Sequence, residues 1–314
     1  GLTALAASLV SVSAANAGSM SISGAASVGI GGYSSDTHNA GTSFTMGNQF
    51  TVSGGGELDN GLNVSLSYQL DNAAGVSGPF DDHSITISSD EIGTIKFSGH
   101  GGSSATSAMD ATAAGDIWDG FDGAVATGVT GVTIGASGGT NNSIFYTAPS
   151  MMDGLAITAS YNPQGTAAES EIGYGVAYTG VEGLTLKYAT MDENTGTTGT
   201  SGDQTAWRAS YVVGPVTLTA TNNDYDMGTG TNDKETSSYN IAYTLTDEIS
   251  IQYGTESIDV GSSTTDAEYS AIVASYTAGG MTITAKMEGA DNVDNSTNSN
   301  ADVEYWFLGA AFAF

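Results

Sequence analysis

The 314-residue sequence has no cysteine, only 4 prolines, and 5 lysines and arginines against 34 aspartates and glutamates. Each shortage excludes something. Without cysteine there is no disulfide, no thiolate metal site and no cysteine nucleophile. A formal net charge of −29 repels phosphate backbones, which removes nucleic acid as a partner. No apolar run reaches the roughly 20 residues that a transmembrane helix needs. Charged residues make up 12% of the chain, about half of the roughly 25% usual in globular domains. The chain is still not a disordered acidic polymer, because 39% of it is apolar and 9% aromatic. Its polarity comes from Ser, Thr, Asn and 44 glycines.

The first segment reads as a targeting sequence. Leu2 to Ala15 form an apolar run that ends in small residues, and Ala15-Asn16-Ala17 is an A-x-A cleavage site. This is the back half of a secretory signal peptide. The expectation is a signal-peptide remnant over residues 1–17 and one mature domain over 18–314, beginning at Gly18.

From residue 19 onward the dominant pattern has a period of two, the mark of half-buried strands. Leu62, Val64, Leu66, Tyr68 and Leu70 share one face, and Asn63, Ser65, Ser67 and Gln69 the other. Met281, Ile283, Ala285 and Met287 oppose Thr282, Thr284, Lys286 and Glu288. The same reading along the chain predicts strands at 19–31, 42–57, 61–72, 83–90, 92–100, 142–149, 154–162, 169–180, 183–192, 203–214, 215–226, 235–246, 248–259, 266–277, 280–289 and 302–314. Short turns alternate with longer polar loops between them. Sixteen strands with short turns at one end predict an all-β transmembrane antiparallel up-and-down barrel. Tyrosines fall near the far end of strands that rise from the short turns (Tyr68, Tyr161, Tyr188, Tyr253). On descending strands they fall near the turn (Tyr146, Tyr178, Tyr211, Tyr243, Tyr276, with Phe312). Two such belts suit the two lipid–water interfaces. The strand at 266–277 is ambiguous, since either face could meet lipid. The Ser/Thr/Asn/Gln face then looks inward, and sixteen strands enclose a lumen too wide for side chains to fill.

With these features the sequence resembles the bacterial general-diffusion porins, most closely those of alphaproteobacteria. The likeness rests on the first strand Ser19–Gly31 after the signal remnant, on Ile85–Gly99 (ITISSDEIGTIKFSG), on the long insertion Gly101–Asn141 after the fifth strand, and on the ending Trp306-x-Leu308-x-Ala310-x-Phe312-x-Phe314. The resemblance implies a passive channel in the outer membrane of a Gram-negative bacterium. It implies a homotrimer among outer-membrane lipid and lipopolysaccharide, passing small hydrophilic solutes and ions. It also implies that Gly101–Asn141 folds inward as a constriction loop, and that Phe312 and Phe314 are the signal read by the outer-membrane assembly machinery. The enterobacterial loop motif is absent, so no position inside the loop transfers from that branch.

The candidate site residues follow from this frame. In the loop, Asp110, Asp116, Asp119 and Asp122 cluster around Trp118 and Phe121. The carboxylates are expected to narrow and charge the pore, and the two aromatics to anchor the segment to the wall. The alternative is an outward, solvated loop. Strand parity puts Lys96, Lys187, Arg208 and Lys286 on the inner face, and the resemblance implies that they face the loop acids across the eyelet. The alternative for each is a pair with a neighbouring acid. Glu256, Glu288 and Glu304 are further pore-lining candidates. The acidic excess predicts cation preference.

No catalytic residue is assigned. Asp81-Asp82-His83 reads as a solvated turn, and Gly99-His100-Gly101-Gly102 is no phosphate loop because no helix follows. No cofactor is required. Acidic outer-loop residues (Asp291, Asp294, Asp192, Glu193, Asp224, Asp226) could hold Ca²⁺, although no EF-hand spacing occurs. The competing functions are a substrate-specific porin and, from another class, a β-rich adhesive surface protein.

Overall fold

The computed structural model describes residues 18–34, 41–71, 81–109, 111–121, 141–163, 170–193, 202–227, 233–297 and 301–314. The signal remnant predicted at 1–17 lies outside them. Sixteen strands are present in the predicted order: β1 Ser19–Tyr33, β2 Thr42–Glu57, β3 Asn63–Asp71, β4 His83–Ser89, β5 Gly93–His100, β6 Ser143–Thr147, β7 Leu155–Asn162, β8 Glu171–Val181, β9 Leu184–Glu193, β10 Gly202–Val213, β11 Val216–Asp226, β12 Lys234–Thr244, β13 Ile249–Val260, β14 Ala267–Ala278, β15 Met281–Asp291 and β16 Val303–Ala313. Every strand end lies within two residues of its predicted place.

Each strand pairs antiparallel with its sequence neighbours, and β16 returns to β1. The closing register sets Ala25 against Ala313 and Tyr33 against Tyr305. Phe314 extends the seam, because its backbone N–H and carbonyl both bond Gly24, at 2.9 and 2.7 Å. No sheet edge is left open, which is what a bilayer demands of strands.

The two faces sort as the alternation requires. Leu186, Tyr188, Leu218, Ile241, Ile251, Tyr253, Met287 and Leu308 are exposed on the outer surface, the side that faces acyl chains. The tyrosines of both belts share the outward parity of their strands, with Tyr146 and Tyr178 half-buried there, and the exposed Tyr174, Tyr239, Trp207 and Trp306 join the belt at the long-loop end. The ambiguous strand resolves as well. In β14, Ile272 and Tyr276 face out, while Tyr269 and Ala271 are buried inside.

Glycine sets the short turns. Six of the seven contain a glycine with φ between +56° and +80° (Gly61, Gly93, Gly154, Gly183, Gly214, and the pair Gly279–Gly280). A side chain there would strain the backbone. At Gly93 it would also run into the carbonyl of Thr147 on β6. Tight turns hold the short-loop rim, and longer segments are left for the other rim.

The lipid face yields a direct test. Ile251→Arg places a charge near the middle of the apolar band. It should lower unfolding stability in vesicles by about 2–4 kcal/mol. Gln252→Arg, one residue on and facing the lumen, should change it by less than about 0.5 kcal/mol. Equal losses from the two in urea unfolding would contradict the assignment of faces.

Candidate functional site

The segment that leaves β5 at Gly101 does not stay outside the barrel. It turns in and runs along the inner wall, making one contact after another with successive strands. The backbone N–H of Ala105 donates to Ser160 Oγ on β7 at 2.9 Å. Thr106 Oγ1 donates to Gln204 Oε1 on β10 at 3.2 Å and lies 3.7 Å from Met191 Sδ on β9. Ala113 N–H donates to Thr221 Oγ1 on β11 at 2.9 Å, and Ala114 N–H to Ser238 Oγ on β12 at 3.0 Å. The hydroxyl of Thr112 donates to Glu256 Oε1 on β13, and Trp118 N–H donates to Glu256 Oε2 at 3.0 Å. Beyond this, Tyr33 at the end of β1 donates its hydroxyl to the carbonyl of Gly120.

A loop against a polar wall must have its backbone groups satisfied, because water is squeezed out between the two surfaces. The inner-face hydroxyl, amide and carboxylate groups do this. Ser160, Gln204, Thr221, Ser238 and Glu256 are all at most 7% exposed. Thr221, Ser238, Glu256 and Tyr269 are direct register partners from β11 to β14. One ladder row thus gives the loop a continuous shelf. Two glycines let the loop lie close. A Cβ at Gly254 on β13 would stand 2.5 Å from that of Ala114, and one at Gly173 on β8 would stand 3.1 Å from that of Ala105. Those contacts are shorter than packed carbons allow.

Apolar packing completes the attachment. Phe121 is fully buried, edge-on to Tyr33 at 6.1 Å between ring centroids and tilted against Tyr269 at 5.8 Å. Ile117, Ile258, Ala271, Val293 and Val303 close the cluster around it, and Trp118 packs on its edge. The local fold of the loop is short. Its described part holds a 3₁₀ turn at Ser107–Met109 and another at Ile117–Phe121.

A family model for Gram-negative porins matches residues 1–314. The chain belongs to that family. Its barrel resembles solved porin structures over nearly its whole length. An anion-selective porin from Comamonas acidovorans superimposes with a TM-score of 0.70 at 15% identity, covering 95% of this chain and all of that one. A loop-deleted form of OmpT, an outer membrane protein of Vibrio cholerae, gives 0.68 at 16%, with 95% and 100% coverage. A triple mutant of the Rhodopseudomonas blastica porin gives 0.64 at 17%, with 94% and 100% coverage. No curated protein sequence matches the chain. The porin is therefore an outer-membrane β-barrel of a channel-forming family.

The residues singled out in the sequence are placed as follows. Asp110 and Asp122 lie outside the described residues. Asp116 has φ +55° and accepts the backbone N–H of Thr112 at 2.9 Å, so one of its oxygens is used in shaping the loop. Asp119 is exposed. Lys96, Lys187, Arg208 and Lys286 are all on the inner face, but they do not form one bank opposite the loop. Arg208 lies beneath it, donating from Nη1 to the carbonyls of Ala111 at 3.0 Å and Thr112 at 3.5 Å. Lys187 is the direct register partner of Arg208 on β9. Lys286 pairs with Glu288 at 3.4 Å on its own strand. Lys96 stands apart on β5 beside Phe145 of β6.

Three expectations need correction. Glu256 and Glu288 do not line the water path, because the loop covers them. Glu304 shares the outward face of Trp306 and Leu308. The inner wall is also not wholly wet, since its β7–β14 side carries the loop. Phe312 is outward on the last strand, and Phe314 is 81% exposed beyond it. Among the described residues, the outer-loop acids predicted to hold Ca²⁺ do not gather three ligand atoms within 4.8 Å; the group that does is Asp81, Asp82 and His100. The shelf residues were missed because Ser and Thr on an inner face look the same in sequence whether water or a loop covers them. The glycines at inner positions 173 and 254 were the available signal.

If Glu256 fixes the loop, Glu256→Ala should leave the barrel folded and free the loop tip. Single-channel recordings should show a larger mean conductance with more current noise, and Gly254→Val should act in the same direction. Glu256→Gln keeps a carbonyl acceptor and should lie between Ala and wild type. A Glu256→Ala channel with unchanged current would refute the role.

Proposed function

We propose that this porin is a general-diffusion channel for small hydrophilic solutes that prefers cations, working in the outer membrane as a homotrimer. The single observation behind the preference is the asymmetry of the charges around the lumen. The described part of the loop bonds to β7, to β9–β13 and to the rim of β1, and it brings carboxylates. Among the described residues, the middle of the uncovered wall (β1–β6) presents neutral groups such as Ser27, Thr45, Gln49, Thr51, Ser67 and Thr86, with Lys96 as its one cation. The other three inner cations are drawn toward the loop side or into a pair. Arg208 is bonded to loop carbonyls, Lys187 is beside it, and Lys286 is held by Glu288. A solute at the narrowest point then meets acids on one side and hydroxyl groups on the other. A ring of that kind favours cations.

A solved structure with the same fold is described as an anion-selective porin. The barrel itself therefore leaves the sign of selectivity open, and the sign must come from side chains at the eyelet. Within this reading Asp116 and Asp119 carry the negative side, joined by Asp110 and Asp122. Trp118 and Phe121 are the anchors, and Phe312 and Phe314 the assembly signal.

Reversal potentials in a KCl gradient decide the matter. The wild-type channel should show cation preference. The double change Asp116→Asn and Asp119→Asn should cut the cation-to-anion permeability ratio by about twofold or more, and Lys96→Glu should raise it. A wild-type channel that prefers chloride would refute the proposal. Liposome swelling with neutral sugars separates general diffusion from a specific site, since saturation at low millimolar sugar would indicate a binding step.

A further inference from the structure

We propose that Asp81, Asp82 and His100 form a binding site for a divalent transition-metal ion, with Zn²⁺ the best chemical fit, at the root of the constriction loop. The sequence groups Asp81 and Asp82 with His83, but the fold brings His100 to them instead. His83 opens β4 and His100 closes β5, and the two are register partners. The register slips between His83 and Ser84. A slip of this kind re-aims the side chains beside it. The ring of His83 covers Gly99, whose Cβ would collide with it. Residues 99 and 100 face opposite ways on a strand, so His100 is left facing Asp82.

The spacing is that of ligands rather than of a hydrogen bond. Nδ1 of His100 stands 3.6 Å from Oδ1 of Asp82. That is too long for a hydrogen bond. Two ligand atoms each about 2.0–2.1 Å from one tetrahedral ion stand about 3.4 Å apart. One ligand atom from each of the three residues falls within 4.8 Å of the others. An independent sign comes from the imidazole itself: the side chain is 37% exposed, but its Nδ1 is shut off from solvent and has no hydrogen-bond partner among the described residues. Such an atom is costly unless something occupies it.

The surroundings favour a cation. The carboxyl of Asp71, at the end of β3, neighbours that of Asp81, and Gln69 Nε2 lies 3.5 Å from Asp81 Oδ2. Neighbouring carboxyl groups of this kind attract a cation. The backbone makes room for the site. Gly101 has φ +63°, and a Cβ there would occupy the carboxylate of Asp82.

The ligand set selects the metal. Ca²⁺ takes six to eight oxygens in a flexible shell. One imidazole nitrogen with two carboxylates and a water suits Zn²⁺ or Ni²⁺. A bound ion would tie the return before β4 to the point where the loop departs. There Gly101 N–H already reaches Asn141 Oδ1, at 3.3 Å, across the two ends of the insertion.

Calorimetric titration of the purified, detergent-solubilised porin with ZnCl₂ tests the site. One ion per chain should bind. Affinity should fall at least tenfold in His100→Gln and in Asp82→Asn, and should be unchanged in His83→Gln. CaCl₂ should bind at least tenfold more weakly at this site. Metal-free conductance equal to wild type in His100→Gln shows that the variant is folded. No zinc binding by wild type, binding that ignores His100→Gln, or Ca²⁺ binding as tight as Zn²⁺ would each overturn the proposal.

Discussion

The constraint on which this structure depends is that hydrocarbon offers no partner to a peptide N–H or carbonyl. A strand in lipid must pair on both sides, so the sheet has to close. Closure fixes the rest. The last strand must find the first, and Gly24 and Phe314 extend that seam by bonding each other in both directions. Side chains must alternate between acyl chains and the interior. With sixteen strands the interior is too wide for those side chains to meet. Another element must therefore narrow the lumen, and the chain supplies it from the insertion between β5 and β6.

The inner wall acts less as a coating for water than as a set of hydrogen-bond partners for a second layer of protein. Hydroxyls at Ser160, Thr221 and Ser238 accept from backbone N–H groups of the loop, as a neighbouring strand would. Glu256 supplies two oxygens, one to the Thr112 hydroxyl and one to the Trp118 N–H. Phe121 then inserts between Tyr33 and Tyr269. Burying an aromatic ring of that size contributes roughly 1.5–3 kcal/mol, enough to hold a segment that makes few regular contacts. Polar contacts set the path of the loop, and the apolar cluster holds its tip.

The barrel was legible in the sequence because lipid enforces a strict two-residue period. Leu184, Leu186 and Tyr188 against Thr185, Lys187 and Ala189 can be read from letters alone, and left-handed glycines mark the turns. The path of the loop was not legible. Parity says that Glu256 and Glu288 point inward but not that a loop lies over them. Glu304 was misread because its acidity suggested the lumen, whereas the parity it shares with Trp306 and Leu308 sets it outside. Asp82 and His100 meet only through a register slip between β4 and β5, which no local pattern announces.

Electrostatics links these levels. With 5 basic residues in the chain, the placing of each cation matters more than the overall charge. Lys187 and Arg208 are direct neighbours across β9 and β10, an arrangement that costs free energy through like-charge repulsion. Arg208 offsets this by bonding the loop carbonyls of Ala111 and Thr112. The guanidinium is suited to that task, since it stays charged and offers several donors in one plane. A cation used to hold the loop lies under it, on the same side of the lumen as the loop acids. In the proposed channel the field across the opening is then set by the remaining acids facing a wall of hydroxyls. On the proposed reading, fixing the loop and choosing the sign of the permeating ion are two results of the same arrangement.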